Sequence, residues 1–341
     1  MTTGQIVVLD EEKMLERIND LPNQFEKAWT TLWIKDLGFD TAGIDHILIS
    51  GMGGSGIAGQ LTKELFTNSP LPIDVWADYQ LPGWVNDNTL FIAVSYSGDT
   101  EETVDATKTA LERKAKVIAI TTGGKLEELS KIHGFPLITI DYKSSPREAV
   151  GYLYGTLLTL LTKLKLVDFK EDAYFQALKE LKDAVAEAKM AEKAEDLVMS
   201  LTNKVPLIIT QQPLVAVGRR FVTQFNENSK SFAASFALPE ACHNTIVGLD
   251  FSIPEKLTVL YLESNFAFSR NNLRKRVIQK IFENKEIPFT PLSVRSGSPL
   301  AEQWLLIYFG DLLSYYLAGV YGVDPSPIES IDFLKTELKK A

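Results

Sequence analysis

Two short segments of the sequence concentrate groups able to hold an anion. The first, GMGGSGIAG over residues 51–59, follows the apolar run HILIS. Glycines let a backbone turn tightly and aim its N–H groups at an anion, and the start of a following helix adds a partial positive charge. Gly51, Gly53 and Gly56 also satisfy the G-x-G-x-x-G spacing of a dinucleotide site, with Asp74 and Asp78 roughly 20 residues on. Taken alone, this loop leaves a dinucleotide, a simpler phosphate and a purely structural turn open. The second segment, SYSGDTEET over residues 95–103, narrows the choice. Ser95, Ser97, Thr100 and Thr103 put hydroxyls and backbone donors where another helix begins. One of them could serve only as a helix cap, but so many so close exceed that need. Hydroxyls and amides without a nearby Arg or Lys suit a compact phosphate monoester held by hydrogen bonds.

Further along stand residues able to move protons or stabilise charge. Glu227 lies between two asparagines in FNENSKSF, near Phe225 and Phe232, where partial burial would strengthen it as a base. Read alone, such a glutamate is more often a surface or capping residue. His243, in LPEACHNTIVG, is one of three histidines. A lone histidine is more often a structural hydrogen-bonder, yet imidazole is the side chain that exchanges protons near neutral pH. Arg147, in SSPREAVGY, reads locally as the first turn of a helix after Pro146. Lys335, in IDFLKTELKK, reads locally as a solvated lysine on a charged C-terminal helix. His46, His133 and His243 show no metal-ligand spacing, and nothing near Cys242 marks a stabilised thiolate, so neither a metal nor another cofactor is expected.

The elements that must position these residues follow from hydrophobic patterning. Residues 46–50, 73–76, 90–95, 116–121 and 137–141 read as buried strands separated mostly by helices, for example over 100–114. Such alternation predicts a parallel sheet covered on both faces, with the two loops at the carboxyl ends of neighbouring strands, where open α/β sheets bind ligands. Residues 173–199 are rich in Ala, Glu, Lys and Leu and predict one long connecting helix. The pattern then restarts, with strands over 205–210, 257–262 and 289–294 and a helix over 270–284. The fold class expected is therefore α/β, as two α/β/α sandwich units with mainly parallel sheets, residues 1–170 and 171–341, and an active site in the cleft between them.

Composition sets the outer bounds. The 341 residues are 45% hydrophobic and 23% charged, enough for a sizeable core. A formal charge of −9 gives no sign of a nucleic-acid binder. One cysteine allows no intrachain disulfide and fits a reducing compartment. The N-terminal segment lacks a signal-peptide pattern. The apolar stretch 304–323 raises a membrane question, but Asp311 at its middle and Gly310, Gly319 and Gly322 favour a buried core helix. A soluble, cytoplasmic protein with no membrane or nucleic-acid partner is expected.

The pair GMGGSG and SYSGDTEET resembles the sugar-isomerase (SIS) domain. The later segments NENSK, PEACHN and DPSPIESIDFLK are similar to those of the bifunctional phosphoglucose/phosphomannose isomerases, in the same order, from about residue 45 to the C-terminus. The resemblance implies a metal-free aldose–ketose isomerase acting on glucose 6-phosphate, fructose 6-phosphate and mannose 6-phosphate through a cis-enediolate. Gly54, Ser55, Ser95, Ser97 and Thr100 would bind the sugar phosphate. Glu227 would be the base, Arg147 would stabilise the enediolate, and His243 with Lys335 would open the ring. The family further implies a homodimer in which His243 reaches the active site of the partner subunit. The family pattern commonly runs His-Asn-Glu, whereas Thr245 follows Asn244 here, which removes one carboxylate from beside His243. A non-catalytic SIS-type sensor of sugar phosphates would need the two loops but not Glu227, His243 and Lys335 together. A dehydrogenase has no support beyond the first loop.

Overall fold

A computed structural model describes residues 6–34, 36–251, 254–338 and 340. The chain divides into two compact units. One comprises Asp20–Asp183 with Arg295–Leu305; the other comprises Met1–Asn19, Ala184–Val294 and Leu306–Ala341.

The first of these holds a five-stranded sheet built from β1 (His46–Ser50), β2 (Ile73–Trp76), β3 (Thr89–Val94), β4 (Lys116–Thr121) and β5 (Leu137–Thr139). All pairings are parallel, in the order β2-β1-β3-β4-β5. Every residue of β3 is buried, as expected of a central strand with helices on both faces. Leu48, Phe91, Ala93, Val117 and Ala119 face a core completed by Val104, Ala106, Ala110 and Leu126 from two helices. Ile49 faces the other way, onto Gly59 of the helix Gly53–Leu65. Connections leave β1 toward one side, to β2, and β3 toward the other, to β4. The carboxyl ends of β1 and β3 therefore flank the point where strand order reverses.

The other unit carries a four-stranded parallel sheet of β6 (Val205–Thr210), β7 (Ala234–Ala237), β8 (Leu257–Leu262) and β9 (Phe289–Leu292), ordered β7-β6-β8-β9. The α/β class and the parallel sheets thus agree with the sequence reading. Strand β7 was not expected. Its four residues, ASFA, lie half-buried at the sheet edge and show no alternation to mark them.

The single helix expected over 173–199 is two, Glu171–Ala186 and Lys189–Val198, broken where Ala188 adopts φ 55°. The first buries Tyr174, Ala177, Leu178 and Leu181; the second buries Ala194 and Val198. The left-handed alanine at the break costs about 1–2 kcal/mol.

The apolar segment around Asp311 is the core helix Pro299–Tyr321, buried along most of its length. Its one mid-helix charge is neutralised by Arg220, which grips Asp311 with Nε to Oδ1 at 3.1 Å and Nη2 to Oδ2 at 2.6 Å. Among the described residues no helix is long and apolar enough to cross a membrane.

Candidate active site

The two glycine- and hydroxyl-rich loops lie where strand order reverses in the five-stranded sheet. Residues 51–52 lead from β1 into the helix Gly53–Leu65, and residues 95–100 lead from β3 into the helix Glu101–Glu112. They are bonded to each other, since Ser55 Oγ accepts the Tyr96 amide at 3.2 Å. Within the second loop, Ser95 Oγ accepts the Gly98 amide at 3.1 Å and lies 2.8 Å from Thr100 Oγ1. Ser97 Oγ accepts the Asp99 amide at 3.3 Å. Thr100 occupies the N-cap position but makes no side-chain cap, so its hydroxyl is not spent on closing the helix. Ser55 and Ser95 are buried, Thr100 is half-buried and Ser97 is exposed.

Arg147 joins this group. It lies in the 3₁₀ turn Pro146–Ala149 and is 3% exposed. A Cβ on Gly54 would stand 2.9 Å from the Pro146 carbonyl oxygen and 3.2 Å from Arg147 Cα. Only glycine therefore admits the first loop so close to the arginine backbone. The turn is braced from both sides. Ser145 N donates to Glu148 Oε2 at 2.8 Å, and Gln24 Nε2 donates to the Glu148 carbonyl at 2.8 Å.

Two residues missed from sequence tie the loops to their surroundings. The Tyr96 hydroxyl accepts the Ser144 amide at 2.9 Å and donates to the Tyr142 carbonyl, anchoring the segment before Arg147. Gly98 adopts φ +74° and packs its backbone against Gly123. The interposed tyrosine and glycine of S-Y-S-G were the available signal.

The structure thus brings together Gly54, Ser55, Ser95, Thr100 and Arg147, with Ser97 on the rim of the same loop. Glu227, His243 and Lys335 belong to the other unit, on three separate elements. Glu227 is the last residue of the helix Val215–Glu227 and is half-buried. Phe225 beside it is buried, whereas Phe232 is 72% exposed and encloses nothing there. The flanking asparagines have structural work: Asn226 Oδ1 accepts the Ala233 amide at 3.2 Å, and Asn228 Nδ2 donates to Ser314 Oγ at 3.0 Å.

His243 is exposed and follows the 3₁₀ turn Glu240–Cys242. Asn244 Nδ2 donates to Glu240 Oε1 at 2.7 Å, and Thr245 donates to Asn244 Oδ1 through both its amide and its hydroxyl. Thr245 is thereby turned back on its neighbour. Burial pushes the Cys242 thiol up, with Arg274 partly opposing, which disfavours a nucleophilic thiolate. Lys335 is exposed on the helix Glu329–Leu338. Among the described residues no group of three or more His, Cys, Asp or Glu is arranged to hold a metal ion.

A parallel α/β sheet with two hydroxyl- and glycine-rich loops at its switch point is the arrangement of an α/β protein that can hold a compact phosphate there. In agreement, residues 42–162 match the SIS domain model, and residues 190–338 match the C-terminal SIS domain of bacterial phospho-glucose isomerase. A bifunctional phosphoglucose/phosphomannose isomerase from Caldicellulosiruptor bescii is 36% identical over 95% of this chain and 98% of its own length. One from Thermoplasma volcanium is 38% identical over 89% of this chain and 94% of its own. Among solved structures, the C-terminal domain of glucosamine-fructose-6-phosphate aminotransferase from Francisella tularensis shares the fold. It superposes with a TM-score of 0.69 at 16% identity, covering 93% of this chain and 98% of that one. The chain belongs to the bifunctional phosphoglucose/phosphomannose isomerase family. It is an aldose–ketose isomerase, an enzyme of the intramolecular oxidoreductase class, and the relatives give no support to a non-catalytic sensor.

Proposed function

We propose that this enzyme interconverts glucose 6-phosphate and fructose 6-phosphate, and converts mannose 6-phosphate to the same ketose. The observation that carries the reading is the convergence of the two loops and Arg147 at the switch point. Backbone amides, hydroxyls and helix N-termini supply the donors a phosphate monoester needs, and the guanidinium supplies a charge for a developing enediolate. Residues 1–170 hold the phosphate and residues 171–341 supply most of the proton transfers. His243 and Lys335 open the sugar ring. Glu227 takes the C2 proton of the aldose and returns it to C1, while Arg147 stabilises the cis-enediolate between the two transfers. Because C2 is planar in that intermediate, rotation about C2–C3 lets reprotonation yield either epimer.

The enzyme acts as a homodimer, with His243 serving the partner subunit's site. The helix Glu329–Leu338 supports this assembly: none of its residues is buried, and Ile331, Leu334 and Leu338 form an exposed stripe at i, i+3 and i+7. A cytoplasmic setting fits the single cysteine and a phosphorylated substrate.

Purified protein supplied with fructose 6-phosphate, and read separately for glucose 6-phosphate and mannose 6-phosphate, tests the reading. Both products are expected, and the appearance of neither overturns it. Ser97→Ala and Thr100→Ala should each weaken phosphate binding. A lost hydrogen bond to a charged group costs about 1.5–3 kcal/mol, roughly 10- to 150-fold in affinity. Inhibition by a phosphate-bearing substrate analogue measures this, and unchanged inhibition of both folded variants would remove these two residues from the phosphate site.

A further inference from the structure

The helix that ends on Glu227 is held by polar contacts of unusual placement. Its apolar residues Ala216, Val217, Phe221 and Phe225 are buried, as in any core helix. Arg220, Gln224 and Asn228, at i, i+4 and i+8, are also buried. Helical periodicity sets Glu227 within about 20° of Arg220 around the axis, seven residues on. The helix lies close against the segment after residue 306. A Cβ on Gly310 would stand 2.4 Å from the Phe221 ring.

The contacts across that approach are directional. Arg220 forks onto Asp311, with the two side chains 1% and 7% exposed. Asn228 donates to Ser314 Oγ at 3.0 Å, and that hydroxyl donates to the Asp311 carbonyl at 2.9 Å. Lys230 Nζ donates to the carbonyls of Glu227 at 2.6 Å and Pro325 at 3.0 Å. Polar ties therefore hold the helix two turns before Glu227, immediately after it and at its own carbonyl.

Burying an ion pair gives little net stability, because desolvation offsets the attraction and an apolar pair of similar size often serves as well. A guanidinium–carboxylate fork does something apolar contacts do not: it sets rotation and axial register at once. Ridge-and-groove packing tolerates small slides, and a base that must reach both C1 and C2 does not.

We infer that Arg220, Asp311, Asn228 and Ser314 are positioning residues that fix the rotation and register of the helix Val215–Glu227, and so the reach of the Glu227 carboxylate. The inference rests on Glu227 being the base.

The double variant Arg220→Met/Asp311→Leu tests it, since removing both charges together leaves no unpaired buried ion. The folded double variant should lose roughly 10- to 100-fold in kcat for fructose 6-phosphate, as for a reacting group displaced by around 1 Å. KM should stay within about threefold, and exchange of substrate C2 deuterium with solvent should fall in step with kcat. Added to Glu227→Gln, the double change should lower activity no further, because both act through one group. Normal kcat in the folded double variant, a loss confined to KM, or full additivity with Glu227→Gln would each overturn the inference. Ser314→Ala removes the acceptor of Asn228 and the hydroxyl bond to the Asp311 carbonyl while leaving both charges in place, and it decides the matter if the double variant does not fold. A several-fold drop in kcat at constant KM supports the clamp, and unchanged kcat overturns it. Glu227→Gln alone separates the two ideas, because retained C2 exchange there sinks the base assignment irrespective of the clamp.

Discussion

Glu227→Gln is expected to lower turnover by about 10²- to 10⁴-fold, the contribution of one positioned acid/base group, while substrate binding persists. The replacement is nearly isosteric and keeps a hydrogen-bonding side chain at the end of the helix Val215–Glu227. The tie from Lys230 runs to the Glu227 carbonyl and the tie from Asn228 belongs to its neighbour, so neither depends on the carboxylate. What disappears is the proposed base between C2 and C1, and exchange of C2 deuterium into solvent should vanish with turnover. His243→Ala should behave differently, slowing cyclic substrate more than a small open-chain analogue, because only the cyclic form needs ring opening. Near-normal C2 exchange in Glu227→Gln would exclude Glu227 as the base and make Glu240, which is bonded to Asn244 beside His243, the next candidate. Equal slowing of both substrate forms by His243→Ala would move His243 to the enediolate step.

The parts of this arrangement legible in the sequence are those governed by local pattern. Strands β1, β3, β4, β6 and β8 are near-continuous apolar runs because both of their faces are covered, and such runs stand out from the helices between them. The glycines and hydroxyls of the two loops are equally visible, since a phosphate-holding turn needs those residue types within a few positions. Edge strand β7 was invisible because half-burial on both faces erases alternation. The break at Ala188 was invisible because alanine-rich sequence favours helix on either side of it.

Long-range polar contacts form a third category. Asp311 was legible as a charge ill-suited to a membrane, but its partner lies 91 residues away, and no local rule connects them. The same holds for Gly54, whose close approach to Arg147 spans the greater part of one unit. Motif reading supplied the residue types, and tertiary packing alone determined which of them meet.

Gly98→Ala is expected to damage the proposed phosphate site more than loss of any single hydroxyl there. The residue has φ +74°, a conformation that costs an L-residue roughly 1–2 kcal/mol. Sterics dominate beyond that: an added Cβ would stand 1.8 Å from the Gly123 carbonyl oxygen and 2.7 Å from Thr121 Oγ1. Relief to an ordinary contact of 3.4 Å requires the loops after β3 and β4 to separate by about 1.6 Å. That movement would strain the Gly98 amide bonds to Ser95 and the bond from the Leu126 amide to the Gly98 carbonyl. Because Ser95 also contacts Thr100, displacement at Gly98 spreads to both ends of the hydroxyl loop. Affinity for a phosphate-bearing analogue should fall by more than about 150-fold, equivalent to losing two or more hydrogen bonds to a charged group. Gly83→Ala serves as the control, since nothing lies within 4 Å of its added Cβ, and binding should not change. The kinetic signature is opposite to that of Glu227→Gln, with KM rising far more than kcat falls, because the lost contacts hold the phosphate equally in substrate and transition state. A folded Gly98→Ala variant with parental affinity for the analogue would show that the 95–100 loop does not hold the phosphate.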